Sequence, residues 1–265
     1  MTLPEPPSPA AHQATELAQG QAQLAQLQAE LAQARAGMDA YSHALAHDLR
    51  AHLRHITAFS GLLREELGTD MTSDATHFLN TVTQAARLLG LQMEGLVALS
   101  KLDRVNPKKV ALNQSALIAQ ALAGLAQETA GRQIAWQVAD DFPALQGDAA
   151  MVQQVWTHLL SNAIKFTRPR DVARIQVGWQ AQSGTGQCTL FVKDNGVGFR
   201  LSANAQEQMF GVFRRLHPAS EFEGLGLGLA LARKLVERHG GAMGAEGGLD
   251  AGCLVRFTLP HALAH

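Results

Sequence analysis

The segment YSHALAHDLRAHLRHI, residues 41–56, carries four histidines, with His43 and His47 four apart. Asp48 follows His47, and Arg50 and Arg54 come three and seven positions after it. A free imidazole titrates at about 6.5, so much of it is neutral at cellular pH and able to act as a nucleophile. Asp48 can hold its tautomer or accept a proton, and the two arginines can meet an incoming phosphate. A metal site would use His43 and His47 on one helical face, but no third ligand stands at a useful offset. Read alone, the stretch is best taken as an ordinary solvated helix face.

The second half of the chain changes that balance. HLLSNAIKF (158–166) reads as a helix with Asn162 and Lys165 on one side. Asn offers a neutral oxygen suited to Mg²⁺, and Lys a point charge for phosphate. DNGVGF (194–199) follows an apolar strand; its glycines permit a sharp turn and close approach of a ligand, and Asp194 can accept from an exocyclic amine such as adenine's. GLGLGLALARKL (224–235) is a glycine-rich run opening a helix, a natural cradle for phosphate. It is not the Walker pattern, because no Lys-Ser/Thr ends it.

These groups need two kinds of scaffold. Leu17, Leu24, Leu31, Met38 and Leu45 recur every seventh residue, with Leu27, Ala34 and Tyr41 three later each time. That seam predicts a coiled coil, weakened at Gly20 and Gly37 by roughly 1 kcal/mol each. Leu45, Leu49, Leu53, Ile56, Phe59 and Leu63 continue an apolar stripe. His47, two positions from Leu45 and Leu49, points away from it. After a turn at 68–74, with Asp74 as N-cap, a second helix presents Phe78, Val82, Ala85, Leu89, Met93, Leu96 and Leu99. Such a hairpin leaves a wide apolar stripe uncovered, and a second copy would complete a four-helix bundle. Beyond Asn106 and Pro107, strand-like runs at 132–138, 173–179, 188–194 and 253–259 alternate with helical patterns at 113–128, 148–166 and 227–239. This predicts a separate α/β domain.

The composition agrees with a folded chain, 46% hydrophobic and 17% charged. The near-neutral balance, 22 basic against 23 acidic residues, gives no sign of nucleic acid as partner. No apolar run is long enough to cross a membrane and the start MTLPEPPSPA is no signal peptide. Cys188 and Cys253 read as reduced thiols of a cytoplasmic protein.

From about residue 38 to 260 the ordered motifs resemble the transmitter core of bacterial sensor histidine kinases, in texture those of the phytochrome-like and PAS-linked sensors. SHALAHDLRAHLRHI resembles the phospho-acceptor box, GDAAMVQQVWTHLLSNAIKFT the N box, DNGVGF the first glycine box, MFGVFRRLH the opening of the ATP lid and GLGLGLA the second glycine box. The resemblance implies a multidomain α and α/β fold: an N-terminal coiled coil and dimeric helical hairpin forming a four-helix bundle, then a two-layer α/β sandwich ATPase domain with a mixed sheet. The implied bounds are a disordered tail at 1–13, a signalling helix at 14–40, the histidine-bearing hairpin at 41–103, a linker at 104–110 and the ATP-binding domain at 111–261. His47 would be phosphorylated, with Asp48 as its acid/base partner. Asn162 would bind Mg²⁺ and Lys165 the triphosphate. Asp194 would read the adenine amine in a pocket shaped by Gly196 and Gly198. Phe210 and Phe213 would anchor the lid, Arg215 would reach the γ-phosphate, and Gly224, Gly226 and Gly228 would wrap the phosphates. The implied partners are a second copy in a homodimer, a response regulator receiver domain, and a separate sensor protein acting through the N-terminal helix. ATP and Mg²⁺ are the implied ligands. The catalytic domain would swing on the linker near 104–109.

Three positions depart from that pattern. His52 stands where the acceptor box usually has Pro, which removes a helix kink. His158 stands where the N box often begins with Asn, a change expected to weaken or alter metal binding while still allowing a hydrogen bond to phosphate or metal-bound water. Ala51 occupies the place where members that also dephosphorylate their partner often carry Thr or Asn. His52 and His158 support an alternative, a catalytically weak dimeric scaffold that binds a response regulator. A serine kinase of the anti-sigma type is disfavoured by His47 on its hairpin.

Overall fold

The computed structural model describes residues 9–102, 104–181, 186–200, 204–218 and 220–261. Helix α1 runs unbroken over Pro9–Leu67, through both the seam and the histidine segment. It starts inside the stretch expected to be a disordered tail, of which residues 1–8 lie outside the described residues, and no break separates signalling helix from hairpin near residue 40. A 3-10 turn at Gly68–Asp70 reverses the chain into α2, Ser73–Leu102. The N-cap of α2 is Thr72 and not Asp74: Thr72 Oγ1 accepts from Ala75 N–H at 3.2 Å. Asp74 lies in the first turn, where its charge still suits the helix dipole.

The two helices pack antiparallel through small and medium side chains. Ala46, Leu53, Ala86 and Met93 are buried together, with Val97 beside them. Leu53 leans on Gly90, and Arg64 donates to Asn80 at 2.5 Å nearer the turn. Continued along the helices, the register of Leu53 on Gly90 and Arg64 on Asn80 sets position 47 of α1 opposite positions 96 and 97 of α2. A second apolar strip stays open. Leu24, Leu27 and Leu31 on the seam, and Phe59, Phe78, Val82, Leu89 and Leu96 on the hairpin, are all exposed.

The second unit is an α/β sandwich. Its sheet has the order β2-β4-β5-β7-β6, built from β2 (Gln133–Val138), β4 (Val172–Ala181), β5 (Gln187–Asp194), β6 (Met243–Gly247) and β7 (Cys253–Pro260). It is mixed: β2 runs parallel to β4 and the other pairs are antiparallel. A short ribbon of β1 (Val110–Leu112) and β3 (Leu145–Gly147) flanks it. One face is covered by α3 (Gln114–Gly124), α5 (Ala149–Phe166) and α7 (Gly228–Arg238), and two short helices, α4 (Ala126–Thr129) and α6 (Ala205–Met209), lie in connections. Alternation decides which side of each strand is covered: Cys188, Leu190 and Val192 of β5 are buried, whereas Lys193 is exposed. Helix α5 buries Val152, Val155, Trp156, Leu159, Leu160, Ala163 and Ile164, spaced at three and four, as the central core helix. Trp156 meets Phe257 edge-on at 5.1 Å and donates its indole N–H to Gln114 at 2.9 Å.

The expected linker is fastened to this second unit. Val110 already belongs to β1. Arg238 donates to the Val105 carbonyl at 2.7 and 3.0 Å and to Asn106 at 3.2 Å. Lys108 N–H donates to Asp148, the N-cap of α5. Buried His239 completes the joint, accepting Asp148 N–H at Nε2 (2.9 Å) while Nδ1 donates to the Leu235 carbonyl (2.7 Å). The freedom expected at 104–109 is therefore taken up by bonds to α5 and α7.

Candidate active site

Helix α5 can point polar groups away from the core because its buried stripe, set by adjacent pairs such as Leu159 and Leu160 or Ala163 and Ile164, leaves part of its circumference uncovered. His158, Asn162 and Lys165 fall on its uncovered side, and all three line a cavity of about 640 Å³. Asp194, at the end of β5, reaches the same cavity, as do Gly198, Arg215 and the run Gly224, Gly226 and Gly228. Four separate stretches of sequence thus meet in one place. Gly196 and Phe213 stand behind the lining and shape it.

Asp194 is 7% exposed. Burial pushes its carboxyl up to about 6, against the pull of N–H donors from Gly196 (2.8 Å) and Cys253 (3.2 Å). Both bonds land on Oδ1, which leaves Oδ2 to accept from a ligand. Gly196 must be glycine: a Cβ there would meet the Phe166 carbonyl oxygen at 2.6 Å. Beside it, Cys253 is an inert thiol, raised to about 12 by burial and by Asp194.

The opposite end of the cavity is cationic. The Lys165 ammonium lies 4.5 Å over the Phe166 ring. Burial lowers its pKa, Glu223 raises it, and Arg215 and Arg168 lower it further, so its environment favours an added anion. Helix α7 starts at Gly228 behind Leu227, which has no side-chain cap. Its first N–H groups are left for a ligand. A Cβ at Gly224 would sit 3.4 Å from Lys165 Nζ, and one at Gly228 3.4 Å from His158 Nδ1, so side chains there would fill the space beside both groups. Burial lowers the His158 pKa, which keeps the ring neutral and fit to donate or accept.

The lid is clasped at its base. Phe210 is buried in the domain core, whereas Phe213 is only half-buried. Phe213 has a φ of 59°, a strained value for an aromatic residue, and its N–H donates to the Gly226 carbonyl at 3.0 Å. Gly226, at φ 70°, lies so close to the Arg214 carbonyl that no side chain fits. Arg215 faces the cavity, but its guanidinium donates to the Pro218 and Phe222 carbonyls of the lid itself.

Several lining residues escaped the motif reading. Phe166, His217 and Phe222 form an aromatic cluster with ring centroids 5.0–5.4 Å apart. His217 Nε2 ties it to the Gly198 carbonyl at 2.7 Å. Arg168 bonds Glu223 at 2.5 Å, pinning the residue before Gly224 to the end of α5. Phe222 and His217, a ring at each end of the short stretch 217–222, were the available signal. The fourth wall could not have been anticipated: Leu91, Glu94, Gly95 and Ala98 of α2 also line the cavity. His47 and Asp48 lie on α1, outside the lining; the side chain of His47 is outside the described residues.

Residues 147–263 match the family of histidine kinase-, DNA gyrase B- and HSP90-like ATPases. The chain is 32% identical over 226 residues to the methanogenesis regulatory histidine kinase FilI of Methanothrix harundinacea (strain 6Ac), covering 85% of this chain and 25% of that protein. It is 28% identical over 250 residues to cyanobacterial phytochrome A of Nostoc sp. (strain PCC 7120), covering 94% and 31%. It therefore spans a quarter to a third of the length of these relatives. Among solved structures, full-length ShkA in complex with AMPPNP superposes with a TM-score of 0.59 at 23% identity, over 84% of this chain and 46% of that one. The Acinetobacter baumannii histidine kinase AdeS gives 0.54 at 16%, over 81% and 97%. These two likenesses bear on fold alone. Helical hairpin, mixed-sheet ATPase unit and ordered motifs together place the chain in one family: it is a sensor histidine kinase transmitter core.

Proposed function

We propose that the chain is an ATP-dependent protein-histidine kinase that phosphorylates His47 and passes the phosphoryl group to an aspartate of a response regulator. The observation that carries this reading is the placement of the cavity. Its glycine-run wall packs on α2 at Gly95, level with His47 on the facing helix. This supports a reading in which the cavity serves the histidine on the facing helix.

In this reading the adenine amine donates to Asp194 Oδ2, and the phosphates run towards the uncapped start of α7 and Lys165. Asn162 would hold Mg²⁺ through its neutral amide oxygen, and His158, which lines the same cavity, would hydrogen-bond phosphate or a metal-bound water without being a ligand itself. When bound, Mg²⁺ supplies charge neutralisation on the phosphates. A His47 ring nitrogen attacks the γ-phosphorus in line, the bond to the β–γ bridging oxygen breaks, and ADP leaves. The proton on the other ring nitrogen passes to Asp48. Arg215 joins only once it releases the lid carbonyls.

The open apolar strips on α1 and α2 fit a second copy of the chain in a four-helix bundle, and the exposed seam extends that contact as a coiled coil. The joint between hairpin and ATPase unit falls at the end of α2, because residues 105–108 are bound to the latter. No helix among the described residues is long and apolar enough to cross a membrane. Two free cysteines among the described residues and a need for ATP support a reading in which the reaction runs in the cytoplasm. The test is the chemistry of the label after incubation with γ-labelled ATP. An acid-labile, base-stable label is the expected phosphoimidazole. An acid-stable label would point to a hydroxyl acceptor, and bound ATP with no label would favour the scaffold alternative.

A further inference from the structure

Helix α2 has a third face, turned away from α1. Gly95 lies two positions from both Met93 and Val97, about 200° round the helix from the face that meets α1. It is nevertheless buried. What covers it is Leu227, the residue just before α7, whose Cγ and Cδ2 would lie 3.2 and 3.4 Å from a Cβ at Gly95, with Cδ1 overlapping that Cβ outright. Leu227 is itself 6% exposed, so its side chain has little room to turn aside. A glycine in the interior of a long helix is unfavourable by itself, and no backbone angle here calls for one. The missing side chain serves the fit of the other unit.

We propose that Gly95 is a positioning residue for phosphoryl transfer: its notch seats Leu227 and thereby sets the phosphate end of the nucleotide cavity at the height of His47. This inference rests on reading ATP as donor and His47 as acceptor. Leu227 directly precedes the N–H groups that face the phosphates. Lifting it off α2 by the width of a methyl group therefore moves the γ-phosphate relative to the histidine while leaving the adenine end on Asp194.

The test is autophosphorylation of the full chain with γ-labelled ATP, comparing native protein, Gly95→Ala and Gly95→Leu, with kcat and KM for ATP separated and Tm measured on each. Expected is a kcat lower by about ten-fold for Ala and about a hundred-fold for Leu, with KM within about two-fold of native. Gly95→Ala gains helix propensity but must displace buried Leu227, so Tm is read beside the rate: the expected result is a lower kcat with the variant still folded at the assay temperature. Unchanged kcat in both variants, with the native chain labelled, would overturn the inference and leave the kinase reading intact. A raised kcat would overturn it too, by making the contact a restraint. A raised KM with native kcat would reduce Gly95 to a wall of the nucleotide site. No label on native protein would overturn the kinase reading and this inference with it.

Discussion

Replacing Asp194 with Asn should move stability and nucleotide affinity in opposite directions. The carboxyl is raised from 3.8 to about 6 by burial. Between those values the folded chain holds a proton that the unfolded chain releases, so stability falls as pH rises through that window and the full penalty is present above about 6. At roughly 1.4 kcal/mol per unit, the penalty at neutral pH is up to about 3 kcal/mol. Asn is neutral throughout and its Oδ1 can still accept from Gly196 and Cys253. Asp194→Asn should therefore raise Tm at pH 7.5, by roughly 6 °C for a unit of this size, and by nothing at pH 4. At Oδ2 the variant presents an NH₂ where the adenine amine needs an acceptor. Loss of a hydrogen bond to a charged group, about 1.5–3 kcal/mol, weakens ATP by roughly 10- to 100-fold. In the native chain ATP affinity should also decline as pH falls through about 6. Thermal unfolding from pH 4 to 8, with ATP titrations at each pH, reads both effects. Identical Tm profiles for variant and native protein, or native affinity in the variant, would refute the assignment.

Other residues give sharper single tests. Lys165→Met removes a half-buried cation, and calorimetry should find ATP binding weaker by about ten-fold or more with Tm unchanged or higher; native affinity would contradict its role. Glu223→Gln breaks the bond to Arg168 that holds Glu223 down to about 2. Its contribution is present above about 4.5 and lost as pH falls towards 2, and because both side chains are well exposed it should stay below about 1 kcal/mol. The Tm difference from native should shrink with salt and vanish near pH 2. Leu89→Arg puts charge on the open hairpin strip; sedimentation should show a dimer in the native chain and a monomer in the variant.

The parts of this molecule that could be read in advance are those where local chemistry repeats. β4, β5 and β7 alternate cleanly, and α5 carries a long apolar stripe, so their bounds were close. β1 and β3 are three residues each and β6 is MGAEG, too short or too glycine-rich to alternate. Thr72 displaced Asp74 as cap because the turn closes two residues earlier than expected. The site motifs were legible because phosphate, adenine and metal each demand particular residue types. Contacts between distant segments were not: Arg238 on Val105, His239 on Asp148 and Leu227 on Gly95 join residues 91 to 133 apart and leave no local pattern. They fasten the linker and set the cavity against the hairpin.

The central claim is that His47 receives the phosphoryl group. The direct measurement is incubation with γ-labelled ATP and Mg²⁺ of the native chain and His47→Gln side by side, with ATP binding checked on both. The account predicts acid-labile label on the native chain, none on the variant, and equal ATP binding. Equal label on both would show that another residue is the acceptor, and would contradict the account.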